Sequence, residues 1–218
     1  MKGKLITLYG SNNLGKSTQI RLLAQALYQN KKDVLLVKYP IYSLKPTGPL
    51  INSIIRTESQ ETLNTHKMTD ELSLQKLYAQ NRKDFQPTLV EVLKAGINVI
   101  SEDYTGTGIA WGMTRGLQRK ELEKINKGLI NPDIAILLDG GRFSQSAEKF
   151  HRNEGKNSDK WEEIRQIHMF RSQEVWQRNR EIHQELAHIY GWKIVNANGK
   201  IEEIHREILG LVLNSEAW

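Results

Sequence analysis

Eight residues near the start constrain this chain more than any others: Gly10-Ser11-Asn12-Asn13-Leu14-Gly15-Lys16-Ser17. They complete the pattern G-x-x-x-x-G-K-[ST]. An apolar run, Leu5-Ile6-Thr7-Leu8-Tyr9, precedes them, and a pattern with Ile20, Leu23, Ala24 and Leu27 on one helical face follows. Strand, glycine-bounded loop and helix form the setting in which such a loop binds phosphate. The glycines let the backbone turn its N–H groups inward around an anion. The helix beginning near Lys16 aims the positive end of its dipole at the same point. Lys16 offers an ammonium to the β- and γ-phosphates and Ser17 a hydroxyl to Mg²⁺. The spacing therefore predicts a nucleoside triphosphate site built from residues 10–17 with Thr18 behind them.

Composition narrows the setting. At 39% apolar and 26% charged residues, the chain of 218 residues is expected to be one soluble globular domain, 1–218, and not a disordered one. No apolar run reaches membrane-spanning length, and the run behind Met1-Lys2-Gly3-Lys4 ends at Gly10, so it reads as a strand and not a signal segment. Cysteine is absent, which excludes disulfides and suits a cytoplasmic protein. The net charge of +6 favours anionic ligands. The basic residues are spread along helices without aromatic interleaving, so a nucleotide is expected as partner, with neither nucleic acid nor membrane.

Apolar runs alternate with helical patterns, which predicts an α/β fold: a parallel sheet of about five strands with crossover helices. The strand candidates are Leu5–Tyr9, Val34–Tyr39, Asn98–Glu102, Ile134–Asp139 and Lys193–Ala197. Ligands of such sheets bind beyond the C-terminal strand ends. Helices are expected at 16–30, near Leu50–Arg56, from about Thr69 to Ala95 with a kink at Pro87, at Arg115–Lys127, at Lys160–Tyr190 and at Ile201–Leu213.

The segment Glu102-Asp103-Tyr104-Thr105-Gly106-Thr107-Gly108-Ile109-Ala110-Trp111-Gly112 resembles the Asp-Arg-Tyr segment of the thymidylate kinase family, a group of P-loop nucleoside-monophosphate kinases. Lys38-Tyr39-Pro40 resembles that family's Arg-Phe-Pro, and Tyr78-Ala79-Gln80-Asn81-Arg82 its aromatic-x-x-Asn-Arg. The Pro-Asp strand appears at Asn131-Pro132-Asp133 through Asp139, and the closing stretch at Val195-Asn196-Ala197 and Ile201 to His205. The order of these pieces spans the chain. The resemblance implies transfer of a phosphoryl group from ATP to dTMP, with Mg²⁺, on the route to dTTP, in a homodimer. It implies that Tyr78 stacks on the pyrimidine, that Arg82 hydrogen-bonds its edge, that Trp111 forms another wall, and that Thr107 and Gly108 lie near the base. Flat π faces and a fork of donors suit those tasks. Each also has a structural alternative: a core tyrosine, a solvated helix arginine, a core tryptophan.

The chain departs from the family at three positions. Asn12 stands where many members carry an Asp for the sugar hydroxyl, and Asn13 where many carry a catalytic Arg. Asp103 replaces the arginine that grips the acceptor phosphate. The stretch of about 142–160 resembles the family lid, and its cations can fill the second gap; Arg152 is the first choice, Lys156 the second, with Arg142 behind them. Lys38 is the expected replacement for the third, ahead of Arg56 and Arg115. Ser17 is expected to coordinate Mg²⁺, with Glu102 or Asp103 acting through water, and Lys16, Glu102 and Asp103 are counted with the lid cations among the catalytic residues. Because Asp103 repels a phosphate, a kinase for a neutral deoxynucleoside is the nearest rival, and a nucleotide-binding regulatory module without activity a more distant one.

Overall fold

The computed structural model describes residues 2–61, 70–141 and 173–215 of the chain. Among these, strands β1 (Leu5–Tyr9), β2 (Val34–Lys38), β3 (Asn98–Glu102), β4 (Ile134–Asp139) and β5 (Lys193–Asn196) form one parallel sheet in the order β2-β3-β1-β4-β5. Every residue of β1 is buried, because helices cover both faces. The two-residue period splits its side chains. Ile6 and Leu8 join Ile20, Leu23 and Leu27 of α1 (Lys16–Gln29) and Ile204, Ile208 and Val212 of α7 (Ile201–Leu213). Leu5 and Tyr9 face the opposite layer, with Leu89 and Leu93 of α3 (Glu71–Lys94).

Strand order locates the site. The chain passes from β1 through α1 to β2, returns to β3 beside β1, then crosses to β4 on β1's other side. The crevice at such a switch point lies above β1 and β3. Register sets which residues meet there: Leu8 lies opposite Glu102, and Lys38 opposite Glu102 from the other side. Asp133 anchors the bottom, its carboxylate accepting from Leu5 N–H at 2.8 Å.

Several element boundaries differ from expectation. β2 and β5 each end one residue early, at Lys38 and Asn196. Helix α2 (Thr47–Glu61) starts three residues before the expected Leu50, Thr47 donating to Asp84 on α3. Helix α3 runs unbroken through Pro87 and is capped by Asp70, whose carboxylate accepts from Ser73 N–H at 3.1 Å. Of the long helix expected at Lys160–Tyr190, the part within the described residues is α6 (Gln173–Tyr190).

The largest correction is α4 (Thr105–Thr114), a helix absent from those expected from the sequence pattern. Gly106, Gly108 and Gly112 lower its propensity. Packing overrides this, because each glycine sits where another side chain comes close. A Cβ on Gly106 would lie 2.4 Å from the Trp192 ring, and one on Gly112 2.5 Å from Leu122. The helix expected at Arg115–Lys127 is correspondingly shorter, as α5 (Arg119–Ile125), with Arg115 capping α4.

These approaches give a stability test. Gly210, inside α7, has open space around its Cα. Gly210→Ala should stabilise the protein by roughly 0.5–1 kcal/mol. Gly106→Ala gains the same propensity but drives a methyl into a rigid indole, and should destabilise by about 1–3 kcal/mol. Denaturant titrations of the two variants decide it; stabilisation by both would mean that Trp192 does not press on α4.

Candidate active site

Gly10 has φ 139°, and a Cβ there would lie 2.6 Å from the Leu138 carbonyl oxygen. Only glycine fits a loop that crosses so close to β4. Gly15 is left-handed at φ 82° and passes the chain into α1, while Asn13 takes φ 65°, a region asparagine tolerates. Within this loop the side chains divide. Leu14 packs into the core, and Ser11 is buried and donates to Asn179 Oδ1 on α6 at 2.9 Å. Asn12 is exposed, and its carbonyl accepts from Trp176 Nε1 at 2.9 Å. What the loop keeps available for a phosphate is backbone N–H groups and Lys16.

Lys16 is only 6% exposed. Its ammonium donates to the carbonyls of Gly10 (2.7 Å) and Ser11 (3.1 Å) and stands 3.8 Å from Asp103 Oδ1. A buried charge needs such partners. Asp103 closes the arrangement from β3's end. It holds φ 63° and accepts from Thr107 Oγ1 at 2.9 Å. Burial raises the pKa of its carboxyl above the usual range; Lys16 opposes this and Glu102 adds to it.

Glu102 joins the loop to β2. Its Oε2 accepts from Ser17 Oγ at 2.7 Å and its Oε1 from Lys38 Nζ at 2.8 Å. The Lys38 side chain is 62% exposed, so its ammonium is both anchored and open to the crevice. Burial works against that charge, but Glu102 outweighs it and raises the pKa of Lys38 above its ordinary value. Burial raises the pKa of Tyr42, with the Lys38 charge opposing this and the Asp103 charge adding to it. The hydroxyl of Ser17 and the carboxylate of Glu102 are hard oxygen donors side by side. They fit Mg²⁺, which takes few protein ligands and keeps water and phosphate oxygens for the rest.

The other side of the crevice is built from α3 and α4. Asn81 is fully buried and brackets the chain after β2, accepting from Ile41 N–H (2.8 Å) and donating to the Ile41 carbonyl (3.1 Å) and to Thr47 Oγ1 (3.0 Å). Arg82, one residue on, is 5% exposed, not a solvated helix arginine. It lies against Gly108, where a Cβ would come within 2.6 Å of Nη2. Tyr78, one turn before Arg82, and Trp111, one turn after Thr107, are both half-buried. The structure thus brings together Lys16, Ser17, Lys38, Glu102, Asp103 and Thr107 in one network, and Arg82 with Gly108 in a second. Arg142, Arg152, Lys156 and the lid segment 142–160 lie outside the described residues, as does the side chain of Arg56.

Comparison with known proteins identifies the family. The family profile described as thymidylate kinase matches residues 9–208. The chain belongs to the thymidylate kinase family. A probable thymidylate kinase of Thermococcus gammatolerans is 31% identical over 96% of this chain and 96% of its own. The thymidylate kinase of Danio rerio is 27% identical over 98% and 91%. The solved thymidylate kinase of Candida albicans, 21% identical, shares the fold with a TM-score of 0.70, covering 97% of this chain and 92% of that one. The fold is therefore that of the P-loop NTPases, and membership makes the protein a phosphotransferase, a nucleoside-monophosphate kinase. None of the described helices is long and apolar enough to cross a membrane.

Sequence reasoning missed the grip of α6 on this family's phosphate loop. Asn179, fully buried, uses its carbonyl on Ser11 and its amide on Thr114 of α4 at 3.0 Å. The next turn carries His183, also buried, with Nδ1 at 2.9 Å from the Asn179 carbonyl and Nε2 without a partner among the described residues. Burial, with a smaller effect of the Lys16 charge, lowers its pKa to about 4, against the support of Asn179 and Asp139. No motif marks these residues, since the contacts join positions far apart in sequence.

Two tests follow from the site. Lys16→Ala should abolish phosphoryl transfer while circular dichroism keeps the native signal; turnover near wild type would exclude this loop from catalysis. His183 supplies a pH test. Its folded pKa is depressed, so unfolding takes up a proton and stability is fully present above about pH 6.5. It should be lost as pH falls toward 4, by roughly 3 kcal/mol for this residue. Denaturation of the wild type and of His183→Leu at pH 7 and pH 5 measures it; equal losses in both proteins would assign the acid sensitivity elsewhere.

Proposed function

We propose that the protein transfers the γ-phosphoryl group of Mg²⁺-bound ATP to dTMP, giving dTDP and ADP. The observation that supports this most is the single carboxylate of Glu102, held between Ser17 of the phosphate loop at 2.7 Å and Lys38 of the acceptor side at 2.8 Å. Donor and acceptor groups are thereby fixed relative to each other before either nucleotide arrives, which is what an in-line transfer needs. When bound, Mg²⁺ neutralises charge on the triphosphate. The chain's own residues then do the rest. Loop N–H groups and Lys16 hold the β- and γ-phosphates, and Lys16 exchanges its carbonyl partners for phosphate oxygens. Lys38 holds the acceptor phosphate. The attacking atom is a phosphate oxygen that is anionic at neutral pH, so no general base is required, and catalysis is positioning and charge stabilisation.

On this reading Tyr78 and Trp111 form walls for the base, Arg82 donates to its edge, and Thr107 and Gly108 shape the floor. Arg152 and Lys156 supply lid cations. The homodimer, the absence of nucleic acid from its partners and the cytoplasmic setting belong to the same proposal, on the ground of family membership and composition.

One observation favours a second reading. Asp103 puts a carboxylate at the end of β3, where the family resemblance implies an arginine, and a carboxylate there can accept a proton from a neutral hydroxyl. A kinase for a deoxynucleoside would need that base; a monophosphate kinase does not. The decisive experiment offers MgATP with thymidine, dTMP and other nucleosides and monophosphates, and follows ADP formation. dTMP should be the preferred acceptor; turnover of thymidine with none of dTMP would replace this reading with the second. Lys38→Ala should lower kcat/KM for dTMP at least about tenfold, close to 1.4 kcal/mol of transition-state binding. An unchanged value would remove Lys38 from the acceptor phosphate.

A further inference from the structure

Arg82 is a buried cation without a matching anion. Among the described residues no carboxylate pairs with it. Its surroundings are the buried phenols of Tyr9, Tyr39 and Tyr104, with Asp103 acting on it from a distance. Burial pulls its pKa down, and Nε is buried with no hydrogen-bond acceptor among the described residues. The Tyr39 and Tyr104 hydroxyls likewise have no hydrogen-bond partner among the described residues. One neutral group orients the guanidinium: Asn126, the C-terminal cap of α5, whose Oδ1 accepts from Arg82 Nη1 at 3.1 Å. Asn126 is itself fixed, donating through Nδ2 to the Leu122 carbonyl at 2.8 Å. Gly108 bounds the guanidinium on the α4 side, where a Cβ would lie 2.6 Å from Nη2 and 3.1 Å from Nη1.

We infer that Asn126 is a positioning residue for the acceptor base. It aims the Arg82 fork at the hydrogen-bonding edge of a pyrimidine, and it does so with a neutral amide so that the guanidinium keeps its charge for the ligand. This rests on the dTMP reading, in which Arg82 meets the base. The chemistry explains the choice of residue type. A carboxylate at 126 would form a bidentate pair with the fork and take the donors that a base carbonyl needs. An apolar residue would leave the fork unheld. An amide satisfies one N–H and leaves the others for the ligand. The base edge selected is one that accepts, such as the 4-carbonyl of thymine, over one that donates, such as the 4-amino group of cytosine.

The experiment compares wild type, Asn126→Ala and Asn126→Asp in three measurements: calorimetric titration of dTMP and of dCMP, steady-state kinetics with dTMP and ATP, and thermal midpoint. Asn126→Asp should weaken dTMP binding by at least about tenfold, the scale of one hydrogen bond to a charged group, and Asn126→Ala by less. The KM for ATP should stay within about twofold, and the preference for dTMP over dCMP should shrink in both variants. The thermal midpoint of Asn126→Asp should be no lower than that of Asn126→Ala, since the carboxylate compensates a buried cation. A residue with a merely structural role would give the same order in stability and in binding, and would not move base preference. Unchanged dTMP affinity in both variants, or equal losses for dTMP and dCMP, overturns the inference while the wild type still turns over dTMP. A wild type that binds dTMP without phosphorylating it overturns the functional reading and leaves Asn126 to be judged on the titrations. A wild type that binds no dTMP overturns both.

Discussion

Glu102 and Asp103 place two carboxylates in consecutive positions at the end of β3, and the remainder of the site is built around keeping them there. Alone, adjacent carboxylates with little exposure to water would repel each other. Each is instead given a lysine: Lys38 to Glu102 at 2.8 Å, Lys16 to Asp103 at 3.8 Å. The pairings depend on the sheet. Parallel register sets Lys38 directly opposite Glu102, and β1, on β3's other side, leads straight into the loop that carries Lys16. A slip of one residue in either pairing would turn these side chains to the other face of the sheet. The same register that buries Ile100 and Val99 therefore also assembles the charges, so stability and function share one constraint.

Much of this is legible in the sequence because it is local. A strand, a glycine-bounded loop and an amphipathic helix announce β1, residues 10–17 and α1 without reference to anything distant. The strands follow from apolar runs covered on both faces. Lys16 lies in the loop, as the motif requires, but its burial among the Gly10 and Ser11 carbonyls has no local signature, because a motif records which residues are present and not what surrounds them. Helix α4 was hidden for a different reason. Its glycines read as a loop, yet they are small because Trp192, Arg82 and Leu122 press on the backbone. Those neighbours come from α3, α5 and the turn before β5, and no local rule connects them.

The residues that hold the site in place were the least legible. Asn179 reaches Ser11 across 168 positions, and Asn126 reaches Arg82 across 44. Both are buried amides with each end of the side chain engaged, so removing either strands a polar group. Asparagine is common at turns and caps, and nothing in its spacing separates a cap from a brace. α6 is the clearest case. Its apolar pattern predicts a helix, but its importance lies in Trp176 and Asn179, which fix the Asn12 carbonyl and the Ser11 hydroxyl and so leave the loop N–H groups as its free donors.

Asp103, at the end of β3, has a consistent electrostatic setting. A positive φ of 63° at that position turns the side chain toward Lys16 and Thr107, so the carboxylate faces the phosphate loop and not the bulk solvent. Burial raises the pKa of the Asp103 carboxyl, with Lys16 opposing the rise and Glu102 adding to it. The site thus holds both of its lysines on internal carboxylates, Lys16 on Asp103 and Lys38 on Glu102, so the charge it presents to an anion is set by the two pairs together.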